Sequence, residues 1–125
     1  MNELTYETIV CEFLRRIPEA RPSYEDLKEF HGDVEPDPHV VFGAFNGRLI
    51  QELEMYRDNE LLRRFFTLAE EMASARLFML PGVVKVTVCE KLGDDQQVLE
   101  TARALMGPRT LLLSQEIERE LGREL

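Results

Sequence analysis

Apolar residues recur along most of this chain every third or fourth position, the spacing of a buried helical face. Ile9, Val10, Phe13, Leu14 and Ile17 predict a helix over residues 6–17, capped by Thr5 and stopped before Pro18. After the loop segment PEARPS, Ser23 caps a short helix over 24–30 with Leu27 and Phe30 inward and Gly32 ending it. The polar stretch 31–39 contains two prolines and reads as a loop. Within it, Asp37 supplies a cap and Pro38 lacks the N–H that would go unsatisfied, so a helix is predicted over 38–56. Its inward side chains are Val41, Phe42, Phe45, Leu49, Ile50 and Leu53. Gly43 and Gly47 lie on it four apart, each costing about 1 kcal/mol relative to alanine, which close approach by a neighbouring helix would offset. Asn59 caps a helix over 60–77, whose broad stripe of Leu61, Leu62, Phe65, Phe66, Leu68, Ala69 and Met72 calls for contacts on two sides.

The run VVKVTV at 83–88 breaks this pattern. It alternates and is β-branched, which favours a strand locally. No partner strand is legible elsewhere, however, and a lone strand leaves its backbone unpaired. Pro81 and Gly93 bracket a segment of helical length, so a helix over 81–92 is predicted. Asp94 or Asp95 caps the next helix, to residue 106, with Val98, Leu99, Ala102 and Leu105 inward. Gly107-Pro108 breaks the chain, and a last helix runs over 110–121 with Ile117 and Leu121 on a narrow apolar face. The expectation is one all-α domain over residues 1–125, six to seven short helices in an irregular antiparallel bundle or short helical solenoid.

Composition narrows the function classes. The 44% apolar share excludes a disordered chain, and 125 residues can bury a core without disulfides or metal. Fifteen basic against 24 acidic residues give a net charge of −9, which repels phosphate backbones and favours a basic protein as partner over nucleic acid. No run reaches the ~18 apolar residues of a membrane span, and MNELTYETIV lacks the basic-then-apolar order of a signal peptide. A cytoplasmic setting with no membrane association is expected. Cys11 and Cys89 both fall in apolar-periodic helices and read as two buried thiols of a reducing compartment.

The candidate chemistry is sparse. His31, Asp33, Glu35, Asp37 and His39 alternate with spacers in the manner of a metal loop, but with Asp33 as the first calcium position the sixth is Pro38 and the twelfth Ala44. The two prolines also restrict convergence on zinc, so no metal and no cofactor is assigned, and a solvated acidic loop or a partner-contact loop is expected. Glu90 shares a helical face with Val83 and Val86 and reads as a structural buried acid, to be satisfied by Arg103, Arg109 or backbone N–H groups. No GxSxG and no GxxxxGK[ST] occurs. Ser23, Ser74 and Ser114 read as a cap and two surface residues, and the pairs Arg15-Arg16 and Arg63-Arg64 as salt-bridging helix surface.

The segments VCEKLGDD and ALMGPRT resemble a family of small, uncharacterised bacterial all-helical proteins with an LExLGDD turn and a later MGPxT turn. The matching residues are Glu90, Leu92, Gly93, Asp94 and Asp95, then Met106, Gly107, Pro108 and Thr110, within a likeness over residues 59–118. Cys89 and the β-branched run depart from that pattern. Such proteins resemble the immunity proteins of polymorphic toxin systems. The resemblance implies a non-catalytic binding domain that neutralises a cognate, basic toxin. Asp33, Glu35, Asp37, Asp94 and Asp95 are the expected partner-binding carboxylates, steering the toxin to an acidic surface. The alternatives are a regulatory or scaffolding adaptor for another cellular protein, and a metal-binding protein using the 31–39 loop.

Overall fold

The structure is a computed structural model that describes residues 4–55, 59–77 and 79–123. Among these it contains seven helices and no strand. They are α1 (Ile9–Arg16), α2 (Arg21–His31, entered through a 3₁₀ turn Pro18–Ala20), α3 (Pro38–Glu54) and α4 (Glu60–Ala73), followed by a composite α5. Helix α5 is α-helical over Met79–Gly82, π-helical over Val83–Cys89 and α-helical again over Glu90–Leu92. Helices α6 (Gln96–Arg103) and α7 (Pro108–Glu120) complete the chain.

The all-α reading holds, and the architecture is a bundle. Helix α5 packs against α3, α4 and α7, and α7 returns to α4. A solenoid would instead pair each unit mainly with its sequence neighbours. The core is aromatic at its centre: Phe13 stacks on Phe42 with centroids 4.1 Å apart, and Phe45 stacks on Phe65 at 5.9 Å.

Three of the predicted caps form. Asp37 accepts from the Val40 N–H at 3.2 Å, Asn59 from Leu62 at 3.2 Å, and Asp95, the second of the two candidates, from Gln97 at 2.9 Å and Val98 at 3.1 Å. The α3 end predicted at residue 56 lies outside the described residues. Helix α1 starts only at Ile9, because Thr5 and Thr8 exchange hydrogen bonds that hold the preceding residues as a turn. Ser23 is not a cap: it lies in the first turn of α2, donating to the Ala20 carbonyl at 3.0 Å. Phe30, expected inside, is 86% exposed. Gly43 and Gly47 are not sites of tight approach either. A Cβ at Gly43 would meet Thr87 Cγ2 at an ordinary 3.6 Å, and one at Gly47 would meet nothing.

The VVKVTV run is helical but wound as a π-helix, with i→i+5 bonding and a wider turn than the α-helix. Val83 and Val84 point inward with Val88 and Cys89, while Val86 is 50% exposed. Glu90 had been aligned with Val83 and Val86 on α-helical spacing. No buried face joins the three: Val83 is buried, Val86 is exposed, and Glu90 is half-buried, not a buried acid. Helix α3 grips this segment at one residue: Asn46 Nδ2 donates to the Thr87 carbonyl at 3.1 Å, and His39 Nδ1 lies 2.5 Å from Thr87 Oγ1.

Candidate functional site

The two glycine turns are built alike: each places its glycine beneath a carboxylate from a distant helix. At the second turn, Gly107 adopts an extended conformation before Pro108, the first residue of α7. Glu70 of α4 accepts there from the backbone N–H of Arg109 at 3.0 Å, and from the N–H and hydroxyl of Thr110, both at 2.9 Å. It thereby caps a helix whose own capping residue has no side chain. Burial alone would raise the Glu70 carboxyl, but the Thr110 and Arg109 donors outweigh it and hold it below the ordinary carboxylate value. A Cβ on Gly107 would lie 2.5 Å from Glu70 Cδ and Oε1.

At the first turn the carboxylate is Glu118 of α7, only 3% exposed. Arg123 binds it through Nε at 3.0 Å and Nη2 at 2.6 Å, reaches Asp94 through Nη1 at 2.9 Å, and donates from Nη2 to the Glu90 carbonyl at 3.0 Å. A Cβ on Gly93 would lie 2.6 Å from Arg123 Nη2 and 2.7 Å from Glu118 Cδ. Glu90 thus contributes its backbone to this lock, and the buried acid is Glu118. Thr110, Ser114 and Glu118 form a buried polar row at i, i+4 and i+8 along α7. Ser114, expected on the surface, is fully buried and accepts from Arg103 Nε at 3.0 Å. These turns hold α4, α5 and α7 together; their chemistry is that of folding.

The five carboxylates expected to bind a partner fall into two groups. Asp33, Glu35 and Asp37 lie exposed between α2 and α3. Glu35 is engaged within the chain, by Lys28 Nζ at 2.8 Å and by the Tyr24 hydroxyl. Lys28 and Tyr24 hold the Glu35 carboxyl below its ordinary value, and Glu35 with some burial pushes the Tyr24 hydroxyl up to about 12. Asp94 and Asp95 lie exposed between α5 and α6, Asp94 paired with Arg123 and, at 3.4 Å, with Lys91. The 17 residues of α3 span about 25 Å. Asp37 caps one end of α3, and Asp95 shares a cleft with Glu54 at the other, so the structure does not bring the five into one site.

That cleft has a volume of about 680 Å³. Glu54, Asp95 and Glu100 wall it, with Leu53, Met55 and Val98 as its apolar part. Among the described residues no Lys or Arg joins the wall. The C-terminal end of α3 adds its negative dipole beside Glu54. Glu54 and Glu100 escaped the sequence reading because only tertiary packing sets the end of α3 beside the start of α6.

Metal ligation finds no framework in the 31–39 loop: among the described residues no group of three or more His, Cys, Asp or Glu side chains is placed to hold an ion. The His31 ring meets Phe30 edge-on with centroids 5.4 Å apart, and His39 turns to Thr87. Of the two cysteines expected to be buried, Cys89 is, and its burial pushes the thiol up to about 12; Cys11 is exposed. Of the four paired arginines, Arg15 forms an ion pair with Glu12, Arg16 with Glu71 and Arg64 with Glu19 on the helix surface. No helix among the described residues is long and apolar enough to cross a membrane.

Residues 10–122 match the family described as a domain of unknown function, DUF7674, and the chain belongs to that family. The match spans Glu70, both glycine turns, Glu118 and the acidic cleft. No curated protein and no solved structure matches the chain.

Proposed function

We propose that this domain is a non-catalytic binding protein that docks a basic partner protein, and that it acts in the cytoplasm. The acid-walled cleft between α3 and α6 carries the reading. It offers Glu54, Asp95 and Glu100 to a lysine or arginine side chain and Met55, 76% exposed, to that side chain's aliphatic stem. The net charge of −9 would speed association with a basic partner beyond the cleft itself. The chain's own basic residues reinforce this reading: Arg16, Arg64, Lys85 and Arg123 are drawn into ion pairs between separate parts of the fold. In its finer form the partner is a toxin domain that this protein neutralises, as the likeness of the LGDD and MGPRT turns to immunity-like proteins first suggested. A scaffolding adaptor would use the same chemistry on a different partner.

The test is capture with the untagged chain from its native host at low and moderate salt, beside the charge-reversed Glu54→Lys/Glu100→Lys protein. A stoichiometric basic partner that is lost at higher salt and with the reversed cleft supports the reading. A partner retained by the reversed cleft at both salts removes the cleft from the interface.

A further inference from the structure

Helix α2 has no fully buried side chain. It rests on the core through the half-buried Tyr24 and Leu27, and presents Glu25, Asp26, Glu29 and Phe30 to water. Phe30 is 86% exposed, and Val34, four residues on in the exit loop, is 67% exposed. An isolated exposed apolar residue needs no explanation, but the setting of these two is specific. Asp26, at i−4, shares the helical face of Phe30, Glu29 precedes it in the last turn, and Asp33 follows in the exit loop beyond Gly32, all three exposed. Of the two basic side chains in the last turn, Lys28 is held by Glu35, and the His31 ring meets Phe30 edge-on. The C-terminal end of α2 adds a further negative dipole beside Phe30. An exposed aromatic ring beside carboxylates matches the make-up of a protein interface, aromatic at its centre and polar at its rim.

We propose that the outer face of α2 and its exit loop dock a basic amphipathic segment of a partner protein. Phe30 and Val34 meet that segment's apolar row, and Glu25, Asp26, Glu29 and Asp33 meet the cations flanking it. Charge complementarity selects this occupant: a neutral apolar segment would leave four carboxylates without partners, and an acidic one would be repelled. The inference rests on the reading of the domain as a protein-binding module, and it names a surface separate from the cleft.

The test is a nitrogen-15 NMR titration of the full chain with a synthetic helical peptide bearing leucines on one face and lysines and arginines on the others. A peptide of the same composition with its leucines scattered is the control. The expected result is shift changes centred on Glu25, Asp26, Glu29, Phe30, Asp33 and Val34. Affinity should fall about tenfold or more for Phe30→Ala, as for an anchor residue. The melting temperature of that variant should be unchanged, since the ring is already in water. Equal affinity of Phe30→Ala, equal binding of the scattered peptide, or shifts confined to Glu54 and Glu100 would overturn the inference, the last while leaving the cleft reading intact. Shifts nowhere would count against both surfaces. Self-association of the free chain that Phe30→Ala abolishes would assign the face to a second copy and overturn the proposed occupant.

Discussion

Replacing Glu70 by alanine removes the acceptor of three hydrogen bonds at the start of α7. The consequences differ by donor. Arg109 is exposed, and water can replace the carboxylate at its N–H. Thr110 is fully buried, so its N–H loses a partner that water cannot supply. An unsatisfied buried donor costs about 1–3 kcal/mol, and loss of a helix cap about 0.5–2 kcal/mol. These overlap, and Glu70 is itself partly solvated, so the expected loss is about 2–3 kcal/mol. For 125 residues that corresponds to a fall in Tm of about 8–11 °C. Gly107→Ala tests the same lock from below. The backbone at Gly107 (φ −74°, ψ 174°) admits alanine, so the cost is the displacement of the Glu70 carboxylate from its donors, about 2 kcal/mol. With alanine at both positions nothing remains to displace. Alanine is a poorer cap than glycine but loses less chain entropy, and the two effects should cancel to within about 0.5 kcal/mol. Chemical denaturation followed by helical circular dichroism, at constant m, should therefore give a coupling of about 1.5–2 kcal/mol between the two sites. Additive effects, with coupling under about 0.5 kcal/mol, would refute the lock.

The other turn should behave in parallel. Gly93→Ala should displace the Glu118–Arg123 pair and cost about 1–3 kcal/mol by denaturation, whereas Gly47→Ala, with open space around its Cβ, should be neutral or stabilising. Acid should weaken the fold through Glu12, Glu19 and Glu70, whose folded values all lie below the ordinary 4.5. Their contribution is complete above the unfolded value and is lost as pH falls through the lower folded values. Tm measured against pH should therefore decline below about pH 4.5, and less steeply for Glu70→Gln. Mass spectrometry after alkylation should find one modified thiol, Cys11, in the native protein and two after unfolding, because Cys89 is buried and its thiol is raised to about 12. Rapid native labelling of Cys89 would contradict the placement of the π-helical segment.

Much of the fold was legible because its signals are local. Asp37-Pro38 and Asn59 cap helices through contacts within a few residues, and the phenylalanine spacing of α3 and α4 maps onto the stacked core. The composite α5 was legible as helix only by elimination, since β-branched residues at 83–88 argue locally for a strand. Its π winding was not legible, because α and π turns differ by one residue in bonding, and the face predicted from Val83, Val86 and Glu90 divides between a buried Val83, an exposed Val86 and a half-buried Glu90. Glu70 and Glu118 were missed for a different reason. Each acts on a glycine turn far away in sequence, and the polar row Thr110, Ser114 and Glu118, which the structure buries, reads locally as a solvated face. The acidic surface was legible as charge but not as geometry: composition gives −9, while the carboxylates divide between the two ends of α3.

The account separates folding locks at the two glycine turns from binding surfaces on the cleft and on α2. Hydrogen exchange by mass spectrometry, on the free chain and on its complex with the basic partner captured from the native host, tests that separation most directly. Added protection on binding should fall on segments containing Glu54, Glu100 or the outer face of α2, with the Gly93 and Gly107 turns already slow to exchange in the free protein and unchanged in the complex. Protection gained chiefly at those two turns, with the cleft and α2 unaffected, would contradict it.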